Sequence, residues 1–129
     1  MAAFTTASPA AGGRAPEEVR MPAHRRPGHT IVALSGVLDG AAAPALREHL
    51  IAALRHSGRL LILDLSEVTS ADVAGLAVLI GVRQRAAGLG VTLRLAAPSA
   101  EVAALLRATG LGRILTVHPG RNLPAEAAA

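Results

Sequence analysis

Three aspartates, Asp39, Asp64 and Asp72, are the residues of this chain best placed to do chemistry, because each falls where an apolar run gives way to a polar turn. Carboxylates converging at strand ends could hold Mg²⁺ through oxygen ligands. The more ordinary use of such aspartates is to accept from backbone amides: Asp72 would cap a following helix, while Asp39 and Asp64 would bond to turn amides. No metal and no cofactor is expected on that reading. Five histidines, His24, His29, His49, His56 and His118, are candidate bases. None stands in a motif with a serine, and His49 and His56 fall seven apart on the polar face of a helix, so all five are expected to be exposed. With no cysteine in the chain, thiolate catalysis, disulfides and Cys-based zinc sites are excluded. The segment 36–40 lacks the spacing and the lysine of a phosphate-cradling loop. No enzyme signature survives, and the chain is not expected to be an enzyme.

The 129 residues suit one domain. Half of the chain is hydrophobic, at 51%, but Phe4 is its one aromatic, so the core must come from Leu, Val, Ile and Ala, and stacking on nucleobases is ruled out. All 13 basic residues are arginine, against 9 acids, for a formal charge of +4. They are scattered apart from Arg25-Arg26 and form no recognition motif, which argues against direct nucleic acid binding. Residues 1–15 lack the basic start and apolar run of a secretory signal. The longest uncharged apolar stretch beyond them, residues 73–82, is about half a membrane span. No membrane insertion and a cytoplasmic location are the expectation.

Positioning these residues requires a small set of elements. Residues 1–15, rich in Ala, Thr, Ser, Pro and Gly, predict a disordered N-terminal arm, and residues 119–129 a flexible C-terminal tail. Between them, residues 18–23 and 30–34 predict a hairpin about a turn at 24–29, closed off by residues 36–40. Residues 42–56 carry Leu46, Leu50, Ala53 and Leu54 on one helical stripe, ended by Gly58. Residues 60–63, four large aliphatics without alternation, predict a strand covered on both faces, with Asp64 emerging into solvent. A second helix over about 73–87, a strand over 91–95, a third helix capped by Ser99 and ended by Gly110, and a last short strand within 114–117 complete the order.

The second helix has an unusual outward face. Leu76, Leu79, Val82 and Ala86 share the side that must lie on the sheet, and Ala74, Ala77 and Gly81 share the opposite one. A glycine in mid-helix costs about 1 kcal/mol relative to alanine, so Gly81 suggests the close approach of another backbone. Val73, Val78 and Ile80 border the strip, which carries no charge until Arg83. Such a patch suits either a protein partner or the chain's own arm or first helix.

The run at 61–65 followed by Gly75-Leu76 is superficially similar to a two-component receiver domain, but that fold needs an acidic pair and a lysine, and this chain has no lysine. The set formed by Leu34-Ser-Gly36-Val-Leu-Asp39, Leu61-Ile-Leu-Asp64-Leu-Ser and Asp72-Val-Ala-Gly75-Leu76, continued by Gly88-Leu-Gly90, Ala97-Pro98-Ser99 and Thr109-Gly110-Leu111, resembles the STAS family over about residues 17–118. That family includes the bacterial anti-sigma factor antagonists. The resemblance implies an α/β fold: a single STAS-like domain over residues 16–118, with a mixed sheet of four to five strands packed with three to four helices. It further implies a transcription regulator in a partner-switching pathway, whose partner is an anti-sigma factor of the histidine-kinase-like type; a homodimer is compatible with it. The partner-binding surface would comprise Asp39, Asp72, Val73, Ala74, Gly75, Ala77, Val78 and Gly81. In antagonists of the family the aspartate is typically followed by a phosphoacceptor serine. Val73 stands there, a degenerate phosphosite, and Thr69 and Ser70 occupy other positions. An alternative within the family is the STAS subunit of a phospholipid-transport ABC ATPase complex.

Overall fold

The computed structural model describes residues 20–120, so the expectations for the arm at 1–15, for residues 16–19 and for the tail at 121–129 lie outside the described residues. Five strands and three α-helices form one α/β unit: β1 (Ala23–Arg26), β2 (His29–Leu38), α1 (Ala43–Leu54), β3 (Leu60–Ala71), α2 (Val73–Gly88), β4 (Thr92–Ala96), α3 (Ala100–Thr109) and β5 (Thr116–His118), with a 3₁₀ turn at Leu111–Arg113. The sheet order follows the sequence, β1-β2-β3-β4-β5. β1 is antiparallel to β2, and β2 to β5 run parallel.

Each helix crosses from one parallel strand to the next in the same direction, and right-handed crossovers then place all three on one face. The burial follows. Val32 and Leu34 of β2, Leu61, Leu63 and Leu65 of β3, and Leu93 and Leu95 of β4 form one core with Leu46, Leu50, Leu76, Leu79, Val82, Val102 and Leu106 of the helices. The opposite face holds a second, small cluster of Leu60, Ile62 and Ala96, with Ile31 beside it. The unbroken aliphatic run of β3 is therefore buried on both faces.

Local chemistry sets the helix limits. Pro44 enters the first turn of α1, where its missing N–H costs nothing. Ser99 caps α3, its hydroxyl oxygen accepting from Val102 N at 3.4 Å. Gly110, at φ +78°, ends α3 in the left-handed region that favours glycine.

Three expectations need correction. The first edge strand lies at Ala23–Arg26 rather than 18–23, Arg20 making only an isolated bridge to Ser35, and Pro27-Gly28 alone forms the turn. β2 does not end before residue 36: it runs to Leu38 through Gly36, whose φ of +94° accommodates a bulge. β3 does not end at residue 63 either, and Asp64 is a half-buried mid-strand residue rather than an exit into solvent. The β2–β3 register slips between Ala33 and Ser35 and again between Gly36 and Val37, each slip giving β3 one extra residue. These bulges break the two-residue alternation by which a strand is recognised, so Val68 is buried out of phase with Leu65.

Candidate functional site

The second half of β3 has no partner in β4, whose pairing ends at Ala96 opposite Asp64. It carries the chain out to Ala71, and Asp72 then turns it into α2. Asp72 has extended backbone geometry and caps the helix, Oδ1 accepting from Gly75 N at 2.9 Å. Its other oxygen, Oδ2, accepts from Gly40 N at 3.3 Å, in the turn between β2 and α1. The Asp72 amide donates to the Leu38 carbonyl at 3.0 Å. One residue thus ties the end of β2, the β2–α1 turn and the start of α2 into a unit, with its negative charge at the positive end of the helix. Asp39 folds that turn from within, Oδ1 accepting from Ala42 N at 3.0 Å.

Beside this clamp stands Val73, 56% exposed and the first residue of α2. Ala74, Ala77 and Gly81 are exposed along the same helix, while Leu76, Leu79, Val82 and Ala86 are buried, as their spacing predicts. Ile80 is half-buried. Two residues leave the proposed surface. Val78 is only 3% exposed and belongs to the core, because α1 packs beside α2 and widens its buried arc. Gly75 is buried too. A side chain there would overlap the Leu38 carbonyl oxygen and lie 2.6 Å from the carbonyl carbon. The close backbone approach expected at Gly81 occurs at Gly75 instead; a Cβ on Gly81 would meet nothing within 4 Å.

The three aspartates do not converge. Asp39 and Asp72 share the turn region, whereas Asp64 sits within β3 and accepts from Ser66 N at 3.0 Å. Among the described residues no three His, Cys, Asp or Glu side chains cluster as a metal site would require. The histidines are not uniformly exposed either, since His29, His49 and His118 are half-buried. Burial lowers the pKa of His49, and a hydrogen bond to the Met21 backbone works against that shift. Thr69 and Ser70 lie within β3 rather than in the turn, and the Thr69 hydroxyl donates to the Gly36 carbonyl at 3.1 Å. Among the described residues, no helix is long and apolar enough to cross a membrane.

A four-strand parallel sheet with an antiparallel edge, three helices on one face and a clamped turn at the head of the second helix define a small α/β domain. The STAS domain family matches residues 20–122, and the chain belongs to it. Solved structures agree. An anti-sigma factor antagonist from Mycobacterium paratuberculosis is similar at 25% identity and TM-score 0.74, over 83% of this chain and 91% of that one. The anti-sigma factor antagonist SpoIIAA in its unphosphorylated form shares the fold at 18% identity and TM-score 0.64, over 83% and 91%. An anti-sigma-factor antagonist (STAS) domain protein from Planctomyces limnophilus shares it at 14% identity and TM-score 0.68, over 84% and 94%. None of the curated protein sequences compared with the chain matches it.

Proposed function

We propose that this STAS domain is a non-enzymatic, cytoplasmic antagonist of an anti-sigma factor of the histidine-kinase-like type, and that it works without a phosphorylation switch. The observation that carries this reading is the Asp72 clamp: by holding Gly40 N and Gly75 N together, it fixes the β2–α1 turn beside an exposed helix strip. Val73, Ala74, Ala77 and Gly81 offer a flat apolar surface with no charged side chain. Small residues let a partner backbone approach, and the rigid turn lowers the ordering cost of binding. The similarity to the antagonist from Mycobacterium paratuberculosis supports the choice of partner class.

Val73 carries no hydroxyl and cannot accept a phosphoryl group. In a relative with serine at this position, phosphorylation would place about two negative charges in the apolar strip and oppose docking. Here occupancy would follow the abundance of the two proteins alone. The test is to mix the protein with its cognate anti-sigma factor and ATP, then follow intact mass and complex formation. The expected result is a stable complex and unchanged mass. Capture of an ABC ATPase in place of an anti-sigma factor, or phosphorylation at Ser70 or Thr69, would overturn the reading.

A further inference from the structure

The molecule holds a recess built on α3 that shares no residue with the clamped turn. A cleft of about 460 Å³ runs beside that helix, lined by Ala103, Leu106, Arg107 and Gly110 on one side. Pro98, Gly112, Arg113 and Val117 complete its walls. The helical residues are spaced at i, i+3, i+4 and i+7, so they form one continuous stripe. Gly110, in the left-handed conformation, reverses the chain into the 3₁₀ turn and brings Arg113 back to the same recess as Arg107. The volume falls within the range of small-molecule sites.

We propose that this cleft binds a small carboxylate or phosphate anion carried on an aliphatic body. Arg107 and Arg113 both line a recess that no carboxylate lines, both are exposed, and neither makes an ion pair among the described residues. Paired guanidiniums recognise carboxylate and phosphate oxygens through charge-assisted, bidentate hydrogen bonds. The remaining walls are Pro, Ala, Leu, Val and Gly, with no aromatic ring, and suit an aliphatic body. Gly112 leaves the cleft room for such a body: a Cβ there would sit 3.8 Å from Leu106 Cβ, in ordinary contact, and a longer side chain would extend into the space. The site is independent of the docking surface, because it shares no residue with it.

The test uses the full chain, isotope-labelled, titrated by NMR with octanoate, octyl phosphate and uncharged octanol. Saturable shifts confined to residues 98–117 are expected with an anionic probe and not with octanol. Saturation by octanoate assigns a carboxylate head, and saturation by octyl phosphate alone assigns a phosphoryl head. The double substitution Arg107→Gln with Arg113→Gln should weaken binding at least about tenfold, the scale of a charge-assisted hydrogen bond. Gly112→Leu should abolish binding while preserving the dispersed spectrum of the folded domain. Equal binding of octanol, unchanged affinity of the double arginine variant, shifts mapping elsewhere, or no saturation at millimolar probe would each overturn the proposal.

Discussion

The carbonyl of Leu38 presses so closely on Gly75 that no side chain fits between the end of β2 and the first turn of α2. The approach is fixed from both sides, since Leu38 O accepts from Asp72 N at 3.0 Å and Asp72 Oδ1 accepts from Gly75 N at 2.9 Å. Adding one methyl at residue 75 must therefore move backbone rather than a flexible side chain.

That contact separates two glycines of the same helix. Gly75→Ala is expected to destabilise the domain by about 2 kcal/mol through overpacking. Gly81→Ala, which meets open space, is expected to stabilise it by about 0.5–1 kcal/mol through helix propensity. Chemical denaturation of both variants checks the pair, and equal effects would show that the close approach is misplaced.

Removing the clamp should loosen two segments at once. Asp72→Ala is expected to cost about 1 kcal/mol, the typical value of a lost N-cap, and to speed amide exchange at Gly40 as well as at Gly75. Asp72→Asn keeps one accepting oxygen where the clamp uses two, so it should retain the cap on Gly75 N and lose the bond from Gly40 N. Hydrogen exchange read residue by residue distinguishes the two, and protection at Gly40 unaffected by Asp72→Ala would deny the bridge.

His49 predicts a pH dependence of stability. Its pKa is lowered in the fold by burial, so the unfolded chain binds the proton more readily than the native one. Its contribution is thus fully present above the ordinary histidine value of about 6.5 and is lost as pH falls below it. Thermal unfolding should show a fall in Tm between neutral and mildly acid pH that His49→Gln reduces. An unchanged pH profile in that variant would contradict the burial argument.

How much of this was legible in the sequence depended on which physical signal each part carries. The helices were readable from their 3.6-residue stripes and from Asp72, Ser99 and Gly110 as caps, which act locally. The length of β3 was not, because two bulges against β2 erase the alternation of Leu65 and Val68. Asp64 was misread for the same reason. Val78 looked like a rim residue since nothing in the wheel of α2 shows that α1 packs beside it. Gly75 and Gly81 exchanged roles because a close approach between a strand end and a helix depends on their placement in space. The bond from Asp72 to Gly40 spans 32 residues, and local spacing carries no trace of it.

Restoring the hydroxyl tests the missing switch. Val73→Ser places a serine at the exposed head of α2, directly after Asp72. Incubated with the cognate anti-sigma factor and ATP, this variant is expected to gain one phosphoryl group and then to bind about tenfold or more weakly, while the natural protein gains none. A phosphorylated variant that binds as tightly as before would remove this turn from the interface.

The affinity of Ala77→Glu for the anti-sigma factor tests the central claim most directly. Ala77 is exposed and points away from the core, so the variant should keep the circular dichroism and Tm of the natural protein. An unpaired charge buried in an interface costs about 3 kcal/mol, and the account predicts a loss of affinity near a hundredfold. Binding at the natural strength by a correctly folded variant would contradict it.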